Sequence, residues 1–352
     1  MGHKQRAAIW SATVAVVLAA GIVAWRDTNP QARHSAPEAV APPEAPALPE
    51  AERVFIPGAD GETPFLVVIE NTPQARPQSG LAEACLVYAL PTEARITRFL
   101  ASYCGDTPTS IGPVRSARQY MLEIASDLGA ILVHAGHSAE ALASIRAQKF
   151  PVINEFWASG PFWRDPSRKM PHNLYTRLDR LRAELHKKPM NVRPVSVPYS
   201  MEVAPQLVLP DATPSDVVVL DYGPPYAVRY RYDAGRRRYL RDQDGRPHLD
   251  ADGRQIAPAS VLVAFVQWRD VMEQGAPSSK ITLIGTGRLA IITEGRLVEG
   301  AWRRSKDRPL ALQTAGGGPV VLPRGPVWIE LFPVDRPFAA SAGSPGAGPS
   351  SR

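Results

Sequence analysis

The chain has 352 residues, 44% of them hydrophobic and 21% charged, which supplies a packed core and excludes wholesale disorder. Two cysteines cannot assemble a Cys-rich zinc site, and neither a metal nor another cofactor is expected. The net charge of +6, from 40 Lys and Arg against 34 Asp and Glu, fits either a solvated basic surface with no ligand, the commoner case, or an anionic partner.

Residues 1–26 are expected to be a transmembrane anchor. The run AAIWSATVAVVLAAGIVAW, residues 7–25, is uncharged and spans about 28 Å as a helix, one hydrocarbon core. Lys4 and Arg6 before it and Arg26 after it give only a slight positive-inside bias, and because Ala19 and Ala20 sit near the end of the run a cleaved signal peptide is the competing reading. The expectation is a single-pass protein of the inner, cytoplasmic membrane with its folded part in the periplasm. There the anions at hand are headgroups, envelope polymers and phosphorylated glycans, not nucleic acid. Residues 27–51 are rich in Pro and Ala and read as an extended linker. Residues 337–352, poor in bulky side chains, read as a disordered tail.

The fold class expected for the rest is α/β (α+β). A mixed-sheet domain over 52–195 precedes a mostly antiparallel β domain over 196–336. The first opens with the strand PFLVVIEN and continues into two β-like runs, ACLVYAL and ITRFLASYC, joined by PTEAR. Pairing these runs sets Cys85 opposite Cys104, in position for a disulfide, with Leu86, Tyr88 and Leu90 on the face of Tyr103, Ala101 and Phe99. Two small buried thiols are the alternative.

A helix is expected from Val114 to Leu128, with Pro113 in its first turn. AILVHAGHS reads as a buried strand entering a second helix, with Ser138 as its N-cap. Gly136-His137-Ser138-Ala139-Glu140 falls short of a nucleophile elbow, because Glu140 stands where the second glycine belongs. A third helix, RLDRLRAELHKK, is expected with Thr176 and Asp179 as a variant capping box. From about 200 onward, short strand-like runs alternate with turn signals such as DAGR, DQDG and GGGP, as in an antiparallel β domain. Arginines 229, 231, 236, 237, 238 and 241 cluster around one hairpin there, either as a solvated face or as a contact for anionic polymer. The nearby aspartates read as turn formers, not as a calcium loop.

The strongest chemical signal is Ile111-Gly112-Pro113-Val114-Arg115-Ser116-Ala117-Arg118. In a first helical turn, Arg115 and Arg118 oppose the dipole and repel one another. A bound anion relieves both, and so do internal ion pairs with Glu93 or Glu70.

With Val67-Val68-Ile69-Glu70-Asn71, Ala75-Arg76-Pro77-Gln78-Ser79-Gly80-Leu81, Pro171-His172-Asn173-Leu174-Tyr175-Thr176 and Gly300-Ala301-Trp302, that motif resembles the YerB-like bacterial lipoprotein family, a domain of unknown function. The resemblance spans about residues 55–334. It implies an N-terminal and a C-terminal domain on the envelope face of a membrane, and no established activity. The family's lipid-bearing cysteine is missing, and Ala94-Arg95 replaces a Gly-Gly turn.

The polar residues of these motifs make up the candidate site. Asn71, Arg76, Ser79, Arg98, Arg115, Ser116, Arg118, His172, Asn173 and Tyr175 are the expected ligand-binding set, suited to a phosphate or pyrophosphate. Glu93 and His134 are the expected proton-handling pair, although a buried, hydrogen-bonded His134 is the simpler reading. The functional expectation is an envelope protein that binds a phosphorylated or anionic ligand and possesses, if any activity, phosphoryl or glycosyl-phosphate transfer. A non-catalytic scaffold is the alternative.

Overall fold

A computed structural model describes residues 57–58, 61–105, 108–192, 197–202 and 212–343. The expected anchor and linker lie outside the described residues, as does the end of the tail.

The first segment contributes strands β1 (Phe65–Glu70), β2 (Leu86–Pro91), β3 (Thr97–Ser102), β4 (Ile131–His134) and β5 (Val152–Asn154), with helices α1 (Gln119–Asp127), α2 (Ala139–Gln148) and α3 (Leu178–Lys187). The second contributes β6 (Val217–Leu220), β7 (Val228–Asp233), β8 (Arg238–Gln243), β9 (Ser260–Glu273), β10 (Ala276–Thr282), β11 (Gly285–Thr293), β12 (Arg296–Ser305), β13 (Arg308–Thr314), β14 (Val327–Pro333) and β15 (Phe338–Ser341). The protein is α+β and mostly β.

Both segments share one 12-stranded sheet, ordered β13-β12-β11-β9-β14-β2-β3-β1-β4-β5 along its main path. Strand β14, from the end of the chain, is its hinge piece. It runs parallel to β9 on one side and to β2 on the other, so two blocks far apart in sequence become one sheet. In the first block, β1 pairs antiparallel with β3 and parallel with β4, and β4 pairs parallel with β5. Strands β1 to β4 are buried on both faces, which is why they read as continuous apolar runs.

Successive side chains enter opposite cores. Leu66, Val68, Tyr88 and Leu100 pack against α1 and α2 through Met121, Ile124 and Ala141. Val67, Val87, Phe99 and Trp328 face α3 and a second, five-stranded sheet through Leu181, Val218, Tyr230 and Tyr239. That second sheet holds β8, β7, β6 and β15 in order. Phe338–Ser341, read as tail, is therefore a strand. It pairs with β6 along its length, and Phe338 packs edge-on against Phe265.

The β2–β3 hairpin differs from the expected register by one residue. Leu86 pairs with Ser102 and Tyr88 with Leu100, so Ala101 and Phe99 share a face with Val87 and Ala89 instead. A one-residue slip exchanges the faces, and here the turn sets it. Thr92 N–H donates to Ile96 O at 2.6 Å, and Ala94 and Arg95 take left-handed φ of 55° and 60°. Cys85 and Cys104 still form a disulfide, at 5.7 Å between Cα atoms, just past the end of the ladder.

Two helix starts also differ. Helix α1 begins at Gln119, with Arg118 extended at the N-cap, so Arg115 and Arg118 do not occupy a first helical turn. Tertiary ladder bonds win over helix there: Arg115 N–H donates to Val68 O, Val114 N–H to Leu174 O and Ala117 N–H to Gly136 O. Helix α3 has Arg177, not Thr176, at its N-cap, and Asp179 pairs with Arg177. Thr176 is buried and donates its hydroxyl to Pro161 O. Ser138 does cap α2, accepting from Ala141 N–H at 3.3 Å.

Candidate functional site

The parallel strands β1, β4 and β5 end together at Glu70-Asn71, His134 and Asn154. The extended segment Ile111–Arg118 crosses those ends, pairing at Ile69 with Val114 and at Ala117 with His137. Crevices form at the carboxyl ends of parallel strands, and most of the expected site residues meet here.

They form two closed networks and one open edge. In the first network, Glu93 takes both Arg98 and Arg118. Arg98 Nη2 is 2.9 Å from its Oε1, and Arg118 donates through Nε to Oε2 at 3.0 Å and through Nη2 to Oε1. Arg98 Nη1 also donates to Ser116 O at 2.8 Å, and Arg118 Nη1 to Ala117 O. Burial alone would raise the Glu93 carboxyl, but the two guanidiniums outweigh it and hold the pKa below the usual range. Burial beside Arg118 brings Arg98 down to about 10. Glu93 is thus the shared counter-ion of Arg98 and Arg118.

In the second network, buried Glu70 accepts from Arg115 Nη2 at 2.9 Å and from Thr72 Oγ1 at 2.7 Å, and contacts His172 Nδ1 at 2.9 and 3.0 Å. A carboxylate on Nδ1 fixes the imidazole's orientation and leaves Nε2 as its other functional atom. Arg115 is 26% exposed, against 8% for Arg98 and 9% for Arg118, and His172 is 19% exposed. The Glu70–His172 contact joins a buried carboxylate to a partly exposed imidazole. Sequence reasoning placed Glu70 only as a counter-ion; its position at the carboxyl end of β1 was the available signal.

Arg76 lies on the far side of Asn71. It donates to Asn71 Oδ1 and O and to Pro225 O, and sits 5.4 Å from the Tyr226 ring. Among the described residues no carboxylate pairs with it, and Asp244 acts only at longer range. Asn71 donates to Thr97 Oγ1 and accepts from Gln78 Nε2. Gln78 in turn contacts His248, which meets the buried Arg241. The second segment therefore braces this end of β1.

His134 is fully buried. Its Nδ1 lies 2.7 Å from Gly136 O, and burial lowers its pKa to about 4, partly opposed by that bond. It is neutral at pH 7 and does not reach solvent. Ser79 acts through its backbone, exchanging hydrogen bonds with Gly112. Asn173 closes the 165–173 loop through Asp165 O, Arg168 O and Arg164, and Tyr175 OH accepts from Arg168.

The basic cluster of the second segment is largely paired. Arg229 and Arg231 share Asp242, Arg237 binds Glu294, and Arg241 is buried against Phe99, Tyr230 and Trp328. A cavity of about 810 Å³ lies elsewhere, lined by Glu123, Asp127, Lys149 and Arg304 among others. It holds none of the candidate residues, and Arg304 is already paired with Glu123 and Asp127.

Fold and site together define a mostly β protein whose mixed sheet carries a cluster of ion-paired and hydrogen-bonded polar side chains at the carboxyl ends of its parallel strands. The chain belongs to the family described as a protein of unknown function, DUF3048: the N-terminal domain model matches residues 56–191 and the C-terminal one residues 218–329. It is 30% identical over 278 residues to "Putative lipoprotein YerB" of Bacillus subtilis (strain 168), covering 77% of this chain and 81% of the relative. The crystal structure of YerB from Bacillus subtilis matches with a TM-score of 0.68 at 28% identity, over 79% of this chain and 93% of that one.

These findings correct the expected single-pass inner-membrane placement. The relative is named as a lipoprotein, a class held by lipid and not by a spanning helix. Among the described residues no helix is long and apolar enough to cross a membrane.

Proposed function

We propose that this protein binds a phosphorylated or otherwise anionic molecule of the cell envelope, with Arg115 as the contacting cation and His172 beside it. The observation that carries this reading is a charge imbalance. Four guanidiniums, from Arg76, Arg98, Arg115 and Arg118, surround one end of the sheet, and among the described residues only Glu70 and Glu93 pair with them. Arg98 and Arg118 are spent on Glu93. Arg115 commits one donor to Glu70 and is the most exposed of the ion-paired three. An oxyanion there meets a forked donor in a partly desolvated setting. The relative's name as a lipoprotein supports an envelope setting.

Thermal-shift titration of the full chain with pyrophosphate and with N-acetylglucosamine 1-phosphate tests this. Stabilisation that is lost in Arg115→Ala supports it. No response to either probe, or an equal response in the variant, sinks it.

A second reading, a non-catalytic scaffold, draws on the same pairing: three of the four arginines already have a protein carboxylate. A scaffold co-purifies with a partner protein whose capture survives Arg115→Ala.

A further inference from the structure

We infer that His248 is an acid-operated latch: as a neutral ring it clasps residues 246–256 onto residues 76–82, and a second ring proton releases them.

The donors and acceptors around the ring leave one arrangement. A guanidinium donates and never accepts, so His248 Nδ1, 2.6 Å from Arg241 Nη1, is the acceptor. The ring proton therefore sits on Nε2, which donates to Gln78 Oε1 at 2.9 Å. That orients the Gln78 amide, whose Nε2 donates to Glu70 O and to Asn71 Oδ1, both at 2.9 Å. Asn71 Oδ1 also accepts from Arg76 Nε, so a relay runs from one arginine to another through a single imidazole tautomer. Arg241, His248, Gln78 and Asn71 are all buried.

A second ring proton finds no acceptor. It would set Nδ1 against the Arg241 guanidinium, donor against donor. The charged groups acting on the ring are Arg241, from β8, and Arg76, from the turn after β1, and both are cations. Strands β3 and β14 face it with Phe99 and Trp328, whose rings lie at 5.8 and 6.4 Å. Buried Glu330 is 3.9 Å from Arg241 Nε and already accepts from Tyr222 and Tyr230. Burial first, and then the two arginines, hold the His248 pKa well below the usual 6.5.

The latch spans a seam between the two segments. Ala251 N–H donates to Gln78 O at 2.7 Å, and the Asp250 carboxylate accepts from Gly80 and Ala82 N–H. Burial raises the Asp250 carboxyl, so its protonation as pH falls relieves a cost and does not drive opening. His248 has the opposite sign. Its pKa is depressed while the seam is closed, so closure is fully favoured above the unfolded value of about 6.5 and weakens as pH falls below it. For one proton the opening equilibrium grows by up to about tenfold per pH unit.

Hydrogen exchange of the full chain, read by mass spectrometry from pH 7.5 to 5 and corrected for the intrinsic rate, tests this. Peptides from 76–82 and 246–256 should lose protection by up to about tenfold per pH unit below 6.5, while β9 and β11 keep theirs. His248→Gln should flatten that slope, because its amide oxygen accepts from Arg241 and its amide nitrogen donates to Gln78 without titrating. Ring NMR of the native chain should show the Nε2–H tautomer, uncharged at pH 6. The latch is overturned by a flat native profile, by the same slope in His248→Gln, or by protection lost throughout the sheet at once. A His248 ring that is charged at pH 6 while the seam stays protected overturns it equally.

Discussion

Glu93→Gln is the most informative single change. The carboxylate is shared by two guanidiniums whose side chains are 8% and 9% exposed, and it is 16% exposed itself. Replacing it with a neutral amide leaves Arg98 and Arg118 facing one another without a counter-ion. Breaking a buried pair from one side costs about 3–5 kcal/mol, because the charge left behind is desolvated. For a chain of this size that lowers Tm by roughly 10 °C. Arg118→Met should cost less, since Glu93 keeps Arg98. The effect also depends on pH. The Glu93 carboxyl is held below its unfolded value, so its stabilisation is present above the unfolded carboxylate range and is lost as pH falls through the lower folded value. Denaturant melts from pH 7 down to pH 3 should show a flatter acid limb for Glu93→Gln than for the native chain. A loss below about 1 kcal/mol, with an unchanged acid limb, would mean that the network is solvated and the argument fails.

Further outcomes follow from other parts of the fold. Burial keeps His134 neutral, with a pKa of about 4 against about 6.5 when unfolded. Stability should therefore decline as pH falls between those values, and ring titration by NMR should place His134 near 4. Removing the Cys85–Cys104 bridge, which closes a separation of 19 residues, should cost about 3 kcal/mol, read from melts of the Cys85→Ala/Cys104→Ala pair. Ala94→Gly, at φ 55°, should stabilise by up to about 1 kcal/mol, seen as a raised denaturation midpoint. Gly287→Ala should destabilise by at least about 2 kcal/mol, because the new Cβ would strike the Trp302 indole and break its hydrogen bond to Phe265 O.

The strands were legible in the sequence because burial on one or both faces leaves period-2 or continuous apolar runs, as in Phe65–Glu70 and Val327–Pro333. The disulfide and the α2 cap were legible for similarly local reasons. What escaped was decided by contacts distant in sequence. The stretch around Arg115 looks helical until Val68, Leu174 and Gly136 supply its backbone with partners. The hairpin register turned on two left-handed residues that no hydrophobic pattern reveals. At the candidate site, several motif residues converge on one end of the sheet, as their spacing in strand-end motifs allows. They could not show that Glu93 would absorb two arginines while Glu70 would orient His172, because that sorting depends on side-chain distances of 2.9–3.0 Å.

The placement of Val327–Pro333 sets a timetable for the whole molecule. As the chain leaves the ribosome, everything before that strand has already emerged, yet the edges of Leu86–Pro91 and Ser260–Glu273 still lack the neighbour that will join them. Those open apolar edges are templates for pairing with another chain until the final piece arrives. A truncation that stops short of residue 327 should therefore yield aggregates, not a shorter folded protein. The last tenth of the sequence acts as the keystone on which the first half waits.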